Sequence, residues 1–98
     1  MEEVEVANGI EQLARRMLKA AYRRRITGFD VPDVLDPRDT EVVRDLGYND
    51  PDAPELWEAE EFLEDGVYIV PAPISPGGQP MVGLYTITSR GMSFMGED

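Results

Sequence analysis

The sequence predicts an α+β fold: three helices, a two-stranded antiparallel β-hairpin and a short C-terminal helical turn. Three observations carry that prediction. Ile10, Leu13, Ala14, Met17, Leu18 and Ala21 recur at helical period and form one apolar stripe. Two β-rich runs, 67–74 and 81–88, flank the turn-forming stretch SPGGQP at 75–80. Gly28, Gly47 and Gly66 stand where successive helical patterns stop. A chain of 98 residues reads as one domain, 1–98, with one modest core.

Residues 1–8 read as a frayed, charged lead-in. Asn8 is placed as the N-cap of the first helix, with Glu11 three positions on, where a capping-box acid reaches back. That helix is expected over 9–26, with acids at its start and arginines at its end, as the macrodipole favours. In 29–36, Pro32 and the aspartates oppose a long element. Phe29, Val31, Val34 and Leu35 therefore plug the core from a loop, or make one short extended segment. Asp36 is expected to cap the second helix, with Pro37 at its first position and Asp39 in its first turn. Val42, Val43 and Leu46 give its buried face. After the turn-rich connector 48–54, Asp52 is expected to cap the third helix. Leu56, Ala59, Phe62 and Leu63 share one side of it. Glu58, Glu61, Glu64 and Asp65 lie elsewhere, and Trp57 falls off the stripe, nearest Glu60, Glu61 and Glu64.

Pro71 and Pro73 each lack a ladder donor, which marks the first strand of the hairpin as an edge strand or as irregular in its distal half. In the second strand, Val82, Leu84 and Thr86 alternate with Tyr85 and Ile87. Thr88 is placed as the cap of the closing turn, whose Met92, Phe94 and Met95 fold back onto the core.

Three helices followed by such a hairpin resemble the winged helix-turn-helix family. Many members close with the pattern aromatic-x-Leu-Thr-x-x-Gly-x-x-Phe-Leu, and Tyr85, Ile87, Thr88, Gly91, Phe94 and Met95 stand in those places. A third helix ending in Leu-Glu-Asp-Gly at Gly66, followed at once by Tyr68 and Ile69, is also similar to the family's approach to its wing. The resemblance spans about residues 10–95. It implies a small winged-helix domain. In DNA-binding members, it implies a third helix that enters the major groove with help from the wing.

Charge runs against that use of the third helix. The formal net charge is −11. Residues 1–28 hold Arg15, Arg16, Lys19, Arg23, Arg24 and Arg25 against four acids, a net +2, whereas 29–98 hold Arg38, Arg44 and Arg90 against sixteen acids, a net −13. Groove reading and phosphate contact favour Arg, Lys, Asn and Gln. The third helix instead displays Glu55, Glu58, Glu60, Glu61, Glu64 and Asp65, with no Arg or Lys, and the tip at 75–80 lacks a basic residue. Phosphates repel such a helix. Its acids are a solvated face or a docking face for a basic partner. Trp57 either packs on Tyr48, Pro51 or Pro54 and the core, or anchors a protein interface, where tryptophan is enriched.

The basic cluster has two readings of its own. It is a polar helix face paired with acids of the same chain, as Glu11 with Arg15 at i, i+4. Otherwise it is a patch for nucleic acid or for the acidic half of a second copy, which would give a salt-sensitive homodimer.

Chemistry is sparse. The chain has no Cys and no His, which removes disulfides, the commonest metal ligand and the usual general base. Asp50, Asp52 and Glu61 sit at positions 1, 3 and 12 of a calcium loop. Pro54 and Glu55 occupy the fifth and sixth positions, where such loops need a ligand and a glycine. Asp30, Asp33, Asp36 and Asp39 are explained by turns and caps. No metal, cofactor or small-molecule ligand is inferred. No apolar run is long enough to span a bilayer, and the acidic start is unlike a secretory signal, so a cytoplasmic protein is expected.

The expectation is therefore a winged-helix module without catalysis that acts through macromolecular contacts. Trp57, Glu58, Glu61 and Glu64 are its candidate partner-binding residues. Arg15, Arg16, Lys19, Arg23, Arg24 and Arg25 are its candidate contact to nucleic acid or to a second copy. The alternative is a DNA-binding regulator that uses the basic first helix rather than the third.

Overall fold

The apolar stripe of the first helix packs against the other three helices in a computed structural model, which describes residues 2–26, 34–73 and 80–96. The elements run α1 (Glu2–Arg23), β1 (Val34–Leu35), α2 (Thr40–Asp45), α3 (Pro54–Asp65), β2 (Ile69–Pro73), β3 (Pro80–Ile87) and α4 (Ser89–Met95). The fold is α+β. The described strands form one antiparallel sheet in the order β1-β3-β2. It has a third strand beside the expected hairpin, because Val34 pairs with Thr86 and Leu35 with Tyr85. Among the described residues no helix is long and apolar enough to cross a membrane.

Helix α1 is displaced from its expected span at both ends. It begins at Glu2, so residues 2–8 are helical and Asn8 is an interior residue rather than a cap. The Glu-rich lead-in explains this, since Glu is a good helix former and acids suit an N-terminus. The helix ends at Arg23 because Ile26 is taken up by the sheet. Its N–H donates to Val34 O at 2.7 Å and its carbonyl accepts from Val34 N at 3.1 Å. Gly28, Phe29 and Val31 lie outside the described residues. Val34 and Leu35 are buried.

The caps of α2 and α3 also moved. Asp36 does not cap α2; its Oδ1 accepts from Arg38 N at 3.3 Å, and its carbonyl from Asp39 N at 3.1 Å. Pro37 has preset a turn over 36–39, which delays the helix to Thr40 and makes Asp39 the N-cap, accepting from Glu41 N. In α3, Pro54 takes the first position, so the cap falls on Ala53, which has no acceptor. Asp52 is left in the preceding turn, where Asp50 Oδ1 accepts its N–H at 3.0 Å.

Two helix ends close by the same reciprocal pattern, with different residues. At α2, Tyr48 N donates to Val43 O and Gly47 N to Arg44 O, with Gly47 left-handed at φ 87°. At α3, Tyr68 N donates to Leu63 O and Val67 N to Glu64 O. There the left-handed residue is Val67, at φ 59°, not Gly66. Gly66 is held by proximity, since a Cβ on it would overlap Cε2 of Tyr68 and lie 2.7 Å from Cδ2.

Strand β2 lies at the sheet edge, which tolerates its prolines. Ile69 faces Ile87 and Pro71 faces Tyr85, but Pro73 faces Pro80 rather than residue 83. This irregularity spans Gly83, which has φ 82°. Apart from Pro80, the hairpin tip lies outside the described residues. Thr88 caps α4 as expected. Its Oγ1 accepts from Gly91 N at 3.0 Å and directs its proton at Val67 O, 2.7 Å away, and Tyr68 O, 3.1 Å away. Helix α4 thereby hangs on the end of α3, and Phe94 stacks on Tyr68 with ring centroids 4.3 Å apart.

Candidate interaction surface

Helix α3 carries the densest run of exposed charge among the described helices. Glu55, Glu58, Glu61, Glu64 and Asp65 are exposed. Glu60, expected among them, is only 5% exposed. It occupies the third place of the stripe Leu56, Ala59, Glu60, Leu63, all of it buried. Two partners make that position tenable. Arg38 Nε donates to Oε1 at 2.6 Å, and the Tyr85 hydroxyl donates to Oε2 at 2.5 Å. Burial, then the bond to Glu60, pushes the Tyr85 hydroxyl pKa well up. Burial likewise raises the Asp36 carboxyl, with repulsion from Asp39 and Glu60 adding to it and the Arg38 N–H opposing it.

The same arginine settles the position of Trp57. The Arg38 guanidinium carbon lies 3.6 Å from the centroid of the indole ring, and Nη1 is 3.7 Å from Asp52. Trp57 therefore has one face under a cation and is still 49% exposed. Cation–π contact of this kind is worth about 0.5–2 kcal/mol, so Arg38 holds the ring in place while about half of the residue stays exposed.

The four α3 candidates are all exposed and spread over an arc of roughly 120° on α3. Glu58 borders a groove against α1, whereas Glu64 approaches the Tyr85 hydroxyl at 3.5 Å on the sheet side. Positions six apart on a helix point roughly 120° away from each other. Trp57 and Glu61 lie between these two margins.

Helix α1 divides its cations more sharply. Arg15 is spent on structure: Nε donates to Phe94 O at 2.9 Å, an orphan carbonyl at the end of α4, and its guanidinium sits 4.6 Å over the Phe94 ring. Arg15 also meets Glu11 at 3.6 Å. Arg24 is bound to Asp45 at 2.8 Å and lies 3.6 Å from Glu41. That hydrogen bond holds the Asp45 carboxyl below its ordinary range and the Arg24 guanidinium above its own. Arg25 folds onto its own helix end, 3.0 Å from Tyr22 O and 4.5 Å over the Tyr22 ring. Arg16, Lys19 and Arg23 remain exposed. Of these only Arg16 makes a described hydrogen bond, a long 3.5 Å contact to Leu46 O.

Two clefts meet at Arg16. An open groove of about 350 Å³ between α1 and α3 has Ile10, Leu13 and Tyr48 on its walls, with Arg16, Glu55 and Glu58 at its margin. A smaller cleft of about 210 Å³ between α1 and α2 is lined by Arg16, Lys19 and Arg23, with Asp45 and Leu46 opposite. Followed along α1, the surface changes from an acid-rimmed half to a basic half.

Three residues that shape this surface escaped sequence reasoning. For Glu60 the signal was present, because 56, 59, 60 and 63 complete the i, i+3, i+4, i+7 pattern. Nothing local marks Arg38 or Tyr85 as its partners; they lie 22 and 25 positions away. Among the described residues, no group of three or more metal-ligating side chains converges; Asp52 is turned to Arg38 rather than towards Glu61. Comparison with protein-family models, with curated proteins and with solved structures returns no match for this chain.

Proposed function

We propose that the chain is a winged helix-turn-helix module without catalytic activity that binds a protein partner through α3. The order of the elements supports the fold reading, as does a short strand between the first two helices that pairs with the last strand of the hairpin. The carrying observation for function is that α3 exposes five carboxylates and contains no Arg or Lys. A helix of that charge opposes the counterion-release gain on which duplex binding depends. It suits a basic protein surface, with the half-exposed Trp57 as the aromatic anchor.

The second reading is contact with DNA through α1, favoured by the exposed Arg16, Lys19 and Arg23. Fluorescence anisotropy with a random labelled duplex at low salt separates the two. No rise at micromolar protein is the expected result. Binding that weakens in Arg16→Glu and Lys19→Glu variants would replace the first reading with the second.

A further inference from the structure

We propose that the partner seated on the α1–α3 groove is a second copy of this chain, in an isologous contact built on antiparallel α1 helices. This rests on the reading of α3 as a protein-contact face. A two-fold contact requires each protomer to present both halves of a complementary pair on one side of the molecule. This surface does so. Glu55 and Glu58 border the groove beside the N-terminal half of the described stripe of α1, and Lys19 and Arg23 line the cleft beside its C-terminal half. Arg16 belongs to both clefts and marks the change of sign.

A two-fold axis perpendicular to α1 near Arg16 lays the basic half of one copy over the acidic rim of the other, twice. Positions 9–23 extend over roughly 20 Å at 1.5 Å per residue, so the two charge pairings are spatially distinct. Ile10 and Tyr48 supply the apolar lining of the groove between the charges. The groove presents both signs, so a purely basic peptide would leave Arg16 opposed and a purely acidic one Glu55 and Glu58. The chain itself carries the matching pair.

Net charge of −11 on each copy opposes association at long range, and salt screens that repulsion before it reaches the close pairs. The Debye length is about 10 Å at 0.1 M salt and about 3 Å at 1 M. The dimer is therefore favoured near 0.1 M and loosened near 1 M.

Analytical ultracentrifugation of the full chain and two charge-reversal variants tests this. One variant carries Arg16→Glu, Lys19→Glu and Arg23→Glu; the other carries Glu55→Lys and Glu58→Lys. All five positions are exposed, and circular dichroism verifies that both variants fold. The wild type is expected to dimerise at about 0.1 M salt and to shift towards monomer at about 1 M. Each variant alone should raise the dimer Kd by about tenfold or more, because like charges then face each other. An equimolar mixture of the two should restore a one-to-one heterodimer, since one pairing is then inverted on both sides and the other is left as in the wild type.

A wild type that is monomeric at both salts, folded variants that dimerise as the wild type does, or a mixture that stays monomeric would each overturn the proposal. A monomeric chain that also ignores duplex DNA overturns the self-contact alone. A chain that binds duplex overturns the protein-contact reading beneath it.

Discussion

The Tyr85 hydroxyl reaches Glu60 across 2.5 Å, from the middle strand of the sheet to the buried face of α3. Arg38 closes on the other carboxylate oxygen at 2.6 Å. One acid thus joins three segments: the turn before α2, helix α3 and strand β3. Its second consequence is electrostatic. Because Arg38 is committed to Glu60 and stacked on Trp57, a cation from the acidic part of the chain is fixed beside the exposed acids of α3 and is not free to contact a phosphate.

Removing either end of that bond should cost stability. Tyr85→Phe leaves Oε2 of Glu60 without its donor, a loss of about 1–3 kcal/mol. Glu60→Ala strands Arg38 and should cost about 3 kcal/mol, the lower end for a broken buried pair, because Arg38 retains some exposure to water. The pH profile gives the sharper readout. The Tyr85 pKa is raised in the folded state, so its contribution is complete below an unfolded value of about 10 and is lost as pH rises towards the folded value. Urea midpoints at pH of about 8 and about 10.5 should show the wild type losing more stability than Tyr85→Phe. Equal losses would mean that the hydroxyl does not titrate against Glu60.

Asp36 follows the same sign in a lower pH range. Burial, then Asp39 and Glu60, raises its pKa, so the carboxyl contributes stability that is full below about pH 4 and lost as pH climbs through the folded value. Asp36→Asn keeps the acceptor for Arg38 N and removes the charge. It should stabilise the protein at neutral pH by about 0.5 kcal/mol or less, discounted for partial exposure. That advantage should vanish below about pH 4. A variant less stable than wild type at pH 7 would show that the charge is needed for Arg38.

Two glycines make opposite predictions for the same substitution. Gly9 lies inside α1, and a Cβ there would meet nothing within 4 Å. Gly9→Ala should add about 0.5–1 kcal/mol through helix propensity and a stiffer unfolded chain. At Gly91 a Cβ would overlap the Tyr68 carbonyl oxygen and stand 2.7 Å from Ile87 Cγ1. Gly91→Ala should cost about 1–3 kcal/mol as backbone and core are forced apart. Thermal melts of the two variants should therefore move to opposite sides of the wild type.

What could be read in advance follows from how local each determinant is. Thr88 caps α4 through a residue three positions on, and Gly47 takes a left-handed angle directly after its helix, so adjacent residues carry the information. Pro71 and Pro73 mark an edge strand for a reason contained in the residue itself. The errors arose where neighbours compete. Asn8 is a good cap, but the Glu-rich residues before it favour helix. Pro54 claims the first helical position and displaces the cap from Asp52 to Ala53. On the surface, the six cations of α1 and the two residues after it read alike in sequence. The fold brings Phe94 and Asp45 to Arg15 and Arg24, and Arg25 turns back onto Tyr22, leaving Arg16, Lys19 and Arg23 as the exposed row with no described ion pair.

Val67 is the one non-glycine residue with a positive φ among the described residues, at 59° with a β-branched side chain and 52% exposure. A left-handed conformation costs an L-residue about 1–2 kcal/mol, and a branched Cβ adds to the crowding. The neighbouring glycine cannot relieve it, since Gly66 is pressed against the Tyr68 ring. The conformation is held from both sides: Val67 N donates to Glu64 O at 3.0 Å, and Val67 O accepts from Thr88 Oγ1 at 2.7 Å. Val67→Asn keeps those backbone bonds and tolerates the angle. With little burial to lose, it should raise stability by about 0.5–1 kcal/mol. Val67→Gly should gain less, because it also loosens the unfolded chain. Adding Thr88→Val removes the clamp on the Val67 carbonyl, so the Asn gain should shrink in that background. Chemical denaturation of the four variants in a double-mutant cycle measures the coupling. Full additivity would show that the strain at Val67 is independent of the Thr88 contact.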